Sequence, residues 1–427
     1  MFERSNNSLP NEQMTAELWI TPGATVAELR RKHGDIFRLV YSEAASFVCA
    51  TGLDAHKSLL VENFDKMSHD EGWGRVSPRF VKMGRGLLFQ DGPEHRWFRK
   101  VMVPSFSPSM VERQIPLMHE VVRRRLSQWP RDGVIGLFQE INAITFEIAV
   151  VYMLGVTAPE KVDELHRLYS KVTSASPNAQ PIESVCAELA IALHPIIRSR
   201  MQNPRDDVLS QVIIAGGPFG RALSEVELAA QANTLIVAGH FTSAALCTKL
   251  LLMLCPDLHH MARLLEEQTA ASANSMADLA KMLLLNSAIT ETERWLSPVP
   301  HLARRVKEEF EFQGYHMRPG EYALCSVAGT HMDESLFPKA NTFDPKRFAP
   351  PHSERGPHPL ALAAFSAGFR RCLGAVLSGA MVKIIVHHIV RGFSLTLEPG
   401  ANVPWRSLPV SQPTGPIPVR ISARQRA

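Results

Sequence analysis

A mainly α-helical fold with small β-sheets is the class this sequence predicts, on three observations. Thirty prolines divide the 427 residues into many segments, and most stretches between them space apolar residues three and four apart. Short alternating stretches occur near 36–50, 302–325 and 393–422, where strands fit at the edge of a helical body. With 45% hydrophobic and 21% charged residues, the chain can bury a large core, which excludes general disorder. No Gly/Ser linker, charge block or repeat marks a joint, so residues 1–427 are expected to form a single domain.

Taken in chain order, Met1–Gln13 is polar, with neither a basic start leading into an apolar signal core nor an apolar anchor. A freely soluble, cytoplasmic protein without a membrane anchor is expected. The net charge of +4 is mild and its basic residues are scattered, so nothing supports nucleic-acid binding. The run Arg123, Arg124, Arg125 reads as a solvated helix face, with a partner-docking patch as the alternative.

The most informative helix begins at Ser224, where Ser224 and Glu227 write a capping box, and continues apolar until Pro256. Gly239, His240, Thr242, Ser243 and Lys249 interrupt its apolar run, which favours a buried core helix over a membrane span. A second helix, about Met276 to Leu296, places Glu291 and Arg294 three apart on one face. A third follows Gly374 and stops at Gly392, with His387, His388 and Arg391 in its last turns, where positive charge is favourable. Those histidines read as helix-end residues, not metal ligands.

Six cysteines are dispersed without CxxC spacing, so neither a disulfide framework nor a zinc or iron–sulfur site is indicated. Cys372 stands apart from the other five. It ends the run Phe365-Ser366-Ala367-Gly368-Phe369-Arg370-Arg371-Cys372-Leu373-Gly374, at the mouth of a helix, with glycines that permit tight turns and two arginines beside it. Backbone N–H groups, the positive helix end and the arginines would stabilise a thiolate there.

This segment resembles, at every defined position, the haem-binding loop F-x-x-G-x-R-x-C-x-G of the cytochrome P450 family. The resemblance implies the P450 fold, with haem b (iron protoporphyrin IX) between the long central helix and the cysteine loop. It makes Cys372 the iron ligand and Arg370 a partner of a haem propionate, with Phe365 and Gly374 as further cofactor-binding positions. A thiolate is the electron-donating ligand that oxygen activation needs.

Four more segments are similar to the family in the expected order. Glu291-Thr292-Glu293-Arg294 looks like the E-x-x-R element, a buried pair locked to Pro345-Lys346-Arg347-Phe348. Gly92-Pro93-Glu94-His95-Arg96-Trp97-Phe98-Arg99 is similar to the helix crossing the proximal side of the haem. There His95 and Arg99, four apart on one face, would reach one propionate. Arg304, seven residues before Glu311, matches a third propionate-binding arginine. Ala238-Gly239-His240-Phe241-Thr242-Ser243 looks like the oxygen-binding segment, in which Gly239 leaves room above the haem and the Thr242 hydroxyl would hydrogen-bond dioxygen and pass it protons.

Phe241 departs from the pattern, because an Asp or Glu is usual there and a phenyl ring carries no proton. Water with Thr242 is the favoured replacement. His240, which could titrate near neutrality, is a second candidate beside its reading as a hydrogen-bonded structural histidine.

The resemblance implies insertion of one oxygen atom from O2 into a lipophilic small molecule, with a terpenoid or related compact hydrophobe as the expected substrate and secondary metabolism as the setting. Substrate contacts are expected from about Glu71 to Gln90, Tyr169 to Ile191, Asn233 to Phe241, Val299 to Leu302 and Ser411 to Pro416. Electrons are expected from a separate ferredoxin and its reductase, docking on Arg96, Arg113 and Arg123 to Arg125, and the chain is expected to be a monomer. Two alternatives stand beside this reading. Phe241 motivates peroxide-driven or non-hydroxylating chemistry, and the other class is a non-catalytic haem-binding sensor or carrier.

Overall fold

The capping box at Ser224 forms as written: the Ser224 hydroxyl accepts the Glu227 N–H at 3.3 Å, and the Glu227 carboxylate accepts the Ser224 N–H at 2.9 Å. Two orphan donors are thereby satisfied, and the helix runs from Glu225 to Leu254, 30 residues and about 45 Å. The computed structural model describes residues 9–42, 45–173, 180–350, 358–399, 401, 404–407 and 409–425, mainly helical with small sheets. Part of the expected substrate wall, 174–179, lies outside the described residues, as does the N-terminal stretch 1–8.

The chain forms two compact units, each drawn from three separated stretches. Because the chain passes repeatedly from one to the other, the sequence carries no linker between them. The first unit contains 1–76, 283–372 and 403–415, and the second 77–282, 373–402 and 416–427.

In the first unit a mixed six-stranded sheet has the order Asn11–Gln13, Ile36–Ser42, Ala45–Ala50, Tyr322–Ser326, His301–Val306, Met67–Ser68. Alternation sets its faces. Phe37 and Leu39 pack with Leu18, Val26, Phe47, Cys49 and Leu324, while Arg38 between them pairs with Glu321 at 2.8 Å. The helix His69–Val76 lies so close to the strand His301–Val306 that a Cβ on Gly72 would stand 2.3 Å from the Cα of Arg304. Only glycine permits that approach, which fixes where Arg304 starts.

In the second unit the long helix packs along Leu137–Leu154, a helix buried on nearly every face. The 3-stranded sheet Phe393–Leu397, Pro418–Ala423, Asp132–Gly136 closes this unit; its last strand was not foreseen, because it lacks an alternating pattern. Leu137–Leu154, Glu225–Leu254 and Ala375–Gly392 are each long and apolar enough to cross a membrane, yet 83%, 72% and 61% of their most apolar stretches are buried inside the protein. Their hydrophobicity is spent on packing.

One helix departs from expectation. The segment expected as a single helix from Met276 to Leu296 is two, Met276–Lys281 and Leu283–Trp295. Met282 between them leaves helical geometry at φ −74°, ψ 73° with its side chain fully buried, and the chain passes there from the second unit to the first. A continuous helix would hold both ends in one register; the break frees the Leu283–Trp295 helix to orient Glu291 and Arg294 within its own unit.

Candidate functional site

The cysteine loop belongs to the first unit, and its geometry explains its glycine. Gly368 has φ +62°, and a Cβ there would lie 2.4 Å from the Leu60 carbonyl oxygen, so the backbone conformation and the close approach both demand glycine. The turn brings the Cys372 N–H to the Phe365 carbonyl at 2.8 Å, and Phe369 stacks near Phe64 with ring centroids 5.5 Å apart. Cys372 is exposed, whereas Cys49, Cys247, Cys255 and Cys325 are buried. Burial pushes the Cys255 and Cys325 thiols up to about 12, and raises those of Cys49 and Cys247 as well. Cys372 alone of the six is exposed.

In the same unit the Glu291–Arg294 pair is fully buried at 0% exposure on both sides and bidentate at 2.7 and 2.8 Å. Arg294 also donates to the carbonyls of His331, Ala340 and Thr342 at 2.9, 2.8 and 3.1 Å. Glu291 accepts the Asp344 N–H at 2.8 Å and pairs with Arg347 at 3.4 Å, so the Pro345–Phe348 turn is locked to the helix as expected. Arg304 is buried in its strand, with one guanidinium nitrogen on the Ala303 carbonyl at 2.8 Å.

The second unit carries the other group of site residues. His95, buried, and Arg99, half-buried, lie on one face of the helix Gly92–Met102, while Arg96 and Lys100 face solvent. On the long helix, Gly239 would accept a Cβ at ordinary contact, 3.6 Å from Met153 and 3.9 Å from Ala149. The Thr242 hydroxyl donates back to the Ala238 carbonyl at 2.8 Å, the local bond available to any helical threonine, and its lone pairs remain to accept. Ser243 bridges to Ser378 at 3.0 Å.

His240 does not titrate near neutrality. Its Nδ1 bonds the Ile236 carbonyl at 2.6 Å, Phe146 meets it edge-on at 5.0 Å, and Phe241 stacks at 3.9 Å. Burial pushes its pKa down to about 3. Its Nε2 has no hydrogen-bond partner among the described residues, so it is a neutral imidazole with one lone pair to offer.

The sequence profile described as Cytochrome P450 matches residues 14–175 and 177–420. The chain belongs to the cytochrome P450 family. It is 28% identical over 363 residues to a putative cytochrome P450 120 of Synechocystis, covering 81% of each chain. It is 24% identical over 346 residues to a protopanaxadiol 6-hydroxylase of Panax ginseng, covering 76% of this chain and 72% of that one. Among solved structures, the retinoic-acid-bound cyanobacterial CYP120A1 has the same fold, with a TM-score of 0.84 over 97% of this chain and 99% of that one, at 24% identity. As a P450, the protein is a haem-thiolate monooxygenase whose cofactor is haem b.

The residues present fit that cofactor. The first unit holds the exposed Cys372 thiol with Arg304 and Arg370, and the second holds His95 and Arg99; a thiol and basic side chains are the donor types that an iron and propionates require. Gly374 and Gly379, at the start of the Ala375–Gly392 helix, have no heavy atom within 4 Å of a built Cβ. The protein itself does not need glycine at either position, so the room beside them is available to a bound group.

Elsewhere two of the arginine run, Arg124 and Arg125, differ from a solvated face, while Arg123 is exposed as expected. Arg124 and Arg125 both bind the buried Glu147, the latter at 2.6 Å, and Arg125 also holds Asp163 at 2.9 Å. Arg113 pairs with Asp206 at 2.5 Å. Sequence reasoning missed Glu147, because an acid in an apolar helix signals nothing until its partners are known. It also missed Gln231, which accepts the Leu87 N–H at 2.9 Å; Asn233, expected on the substrate face, donates to the Met83 carbonyl at 2.8 Å, and the two pin 83–87 to the long helix. Gly86 makes that contact possible, since a Cβ there would lie 2.3 Å from the Ala230 carbonyl.

The buried histidines set a pH dependence. Burial pushes His56, His166 and His301 down to about 4, and His240 to about 3. In the unfolded chain each titrates near 6.5, so on acidification the unfolded state takes up protons first. Stability is full above about pH 6.5 and is lost as pH falls toward 3–4. The urea midpoint at pH 5 is therefore expected below that at pH 7.5, with the difference reduced in His56→Gln.

Proposed function

We propose that this P450 inserts oxygen into a compact lipophilic substrate of the terpenoid class. We further propose that it is a monomer in the cytoplasm, supplied with electrons by a ferredoxin and its reductase. Two proteins of similar sequence or fold support the substrate class: one solved structure holds retinoic acid, and the ginseng relative is named for hydroxylating protopanaxadiol. The buried Met83, Leu87 and Phe89, laid against the long helix, supply apolar surface of the kind such a ligand needs.

In this reading Cys372 binds the iron as thiolate, and His95, Arg99, Arg304 and Arg370 bind the propionates, beside Phe365, Gly374 and Gly239. The haem, once bound, supplies oxygen reduction and atom insertion. Thr242 moves the proton: its O–H, now on the Ala238 carbonyl, hands its hydrogen on when the hydroxyl rotates and takes another from water. His240, on the same helix, is a neutral acceptor. Exposed Arg96 and Lys100, rather than the paired Arg113, Arg124 and Arg125, are the docking charges.

The observation that carries this reading is the single exposed cysteine in its glycine-dependent turn. A second reading rests on Phe241, buried at 4% exposure where an acid is usual: turnover driven by peroxide, which needs no proton delivery to dioxygen. The two separate by comparing product from ferredoxin, reductase and O2 with product from peroxide alone. Thr242→Ala is expected to lower the O2-driven rate about a hundredfold and leave the peroxide-driven rate nearly unchanged. Equal loss in both would remove Thr242 from proton delivery.

A further inference from the structure

In the second unit, the helix Ile115–Leu126, the loop 271–274 and the last turns of Ala375–Gly392 surround a cavity of about 590 Å³. Of its lining, only Arg123 has been considered above, as an expected docking charge for a redox partner. Its polar wall is His119, Arg123, Asn274, His387, His388 and Arg391, and among the described residues no carboxylate lines it. Asp278, reached through Ser272, is turned to the hydroxyls of Ser272 and Ser275.

The hydrogen bonds fix His387 as a neutral tautomer. His119 Nε2 donates to the Ala273 carbonyl at 2.9 Å, and its Nδ1 shares a hydrogen bond with His388 Nε2 at 2.7 Å. Gln268 gives its amide N–H to Glu267, so its oxygen accepts from His387 Nδ1 at 3.0 Å, and His387 Nε2 accepts from Arg391 at 3.0 Å. Burial and the neighbouring cations push His387 and His388 down to about 4 and about 3. These histidines were expected to add positive charge to a helix end; they are uncharged, and the positive charge of the cavity is Arg123 and Arg391.

Neither arginine has an ion-pair partner among the described residues, and both are exposed at the cavity mouth. Nor is Arg391 needed to cap its helix. Arg424 already serves the Val390 and Phe393 carbonyls at 3.0 and 3.1 Å, and its N–H serves Gly392 at 2.8 Å. Two guanidinium forks without carboxylates, facing one cavity, are a recognition site for a planar or tetrahedral oxyanion.

We propose that this cavity binds a phosphoryl group, held by Arg123 and Arg391 with the Asn274 amide as a neutral donor. The volume exceeds what inorganic phosphate fills and lies within the range of small-molecule sites, so the ligand is an organic phosphate with its apolar part against Ile115 and Pro116.

The test is calorimetric titration of the haem-loaded protein with AMP, adenosine and inorganic phosphate. AMP binds and adenosine does not; Arg123→Gln/Arg391→Gln weakens AMP binding about a hundredfold, and Arg391→Lys, which keeps the charge and loses the fork, weakens it less. Phosphate binding as tightly as AMP would support the phosphoryl site but overturn the organic ligand. Absence of binding by both phosphates overturns the proposal, even where an acidic ferredoxin binds through these arginines, and so does unchanged AMP affinity in the folded double variant.

Discussion

Replacing Cys372 with serine abolishes oxygen insertion and the red-shifted Soret band of the reduced, carbon-monoxide-treated protein. An alkoxide does not form at a serine in this turn, so the electron-donating ligand is lost. No other sulfur can take over. Cys255 and Cys325 are buried with thiols pushed up to about 12, and the Cys186 thiol donates to the Lys82 carbonyl at 3.3 Å. The turn itself persists in the variant, because it is made by the Cys372 N–H, the Phe365 carbonyl and the positive φ of Gly368, none of which involves the sulfur. The expected fall in rate is on the order of a thousandfold or more, equivalent to about 4 kcal/mol of barrier. A serine variant that kept both the band and the turnover would end the assignment of the ligand.

How much of this was legible in the sequence depended on whether a signal was local. The long helix was readable to its ends because a capping box and a proline are local devices, and Ser224, Glu227 and Pro256 all act as written. The cysteine loop was readable because its glycine, arginine and cysteine stand at fixed offsets. The break at Met282 was not, since nothing in its neighbours forbids a helix, and it follows from the passage of the chain between units. The arginine run misled for the same reason: Arg124 and Arg125 look solvated until Glu147, more than twenty residues on, is folded against them. His240 shows the limit for chemistry. Its residue type suggested a titrating relay, but the surrounding Phe146, Phe241 and Ile236 carbonyl decide its charge, and they hold it neutral. Arg304 required a contact of another kind, the glycine at 72 that lets a helix press on its strand.

The Arg294→Leu substitution is expected to have the largest effect on stability. Arg294 is fully buried and makes five hydrogen bonds, two to Glu291 and three to the carbonyls of His331, Ala340 and Thr342. Its guanidinium also faces the rings of Trp295 and Phe337 at 5.4 and 5.6 Å. Removing it leaves a carboxylate and three carbonyls without that donor in a dry interior, a loss of about 3–5 kcal/mol for the broken pair. Glu291→Gln costs less, because Arg294 keeps its three carbonyls and the Gln oxygen can still accept from the Asp344 N–H. The asymmetry distinguishes two roles. Were the pair important only for its Coulomb energy, the double variant Glu291→Leu/Arg294→Leu would approach wild-type stability, as buried pairs replaced whole often do. The arginine also ties the segment 331–342 to its helix, so the double variant is expected to recover only part of the loss. Urea unfolding of the four proteins reads the outcome; a double variant as stable as wild type would show that the carbonyl ties contribute little and that the pair acts as a charge alone.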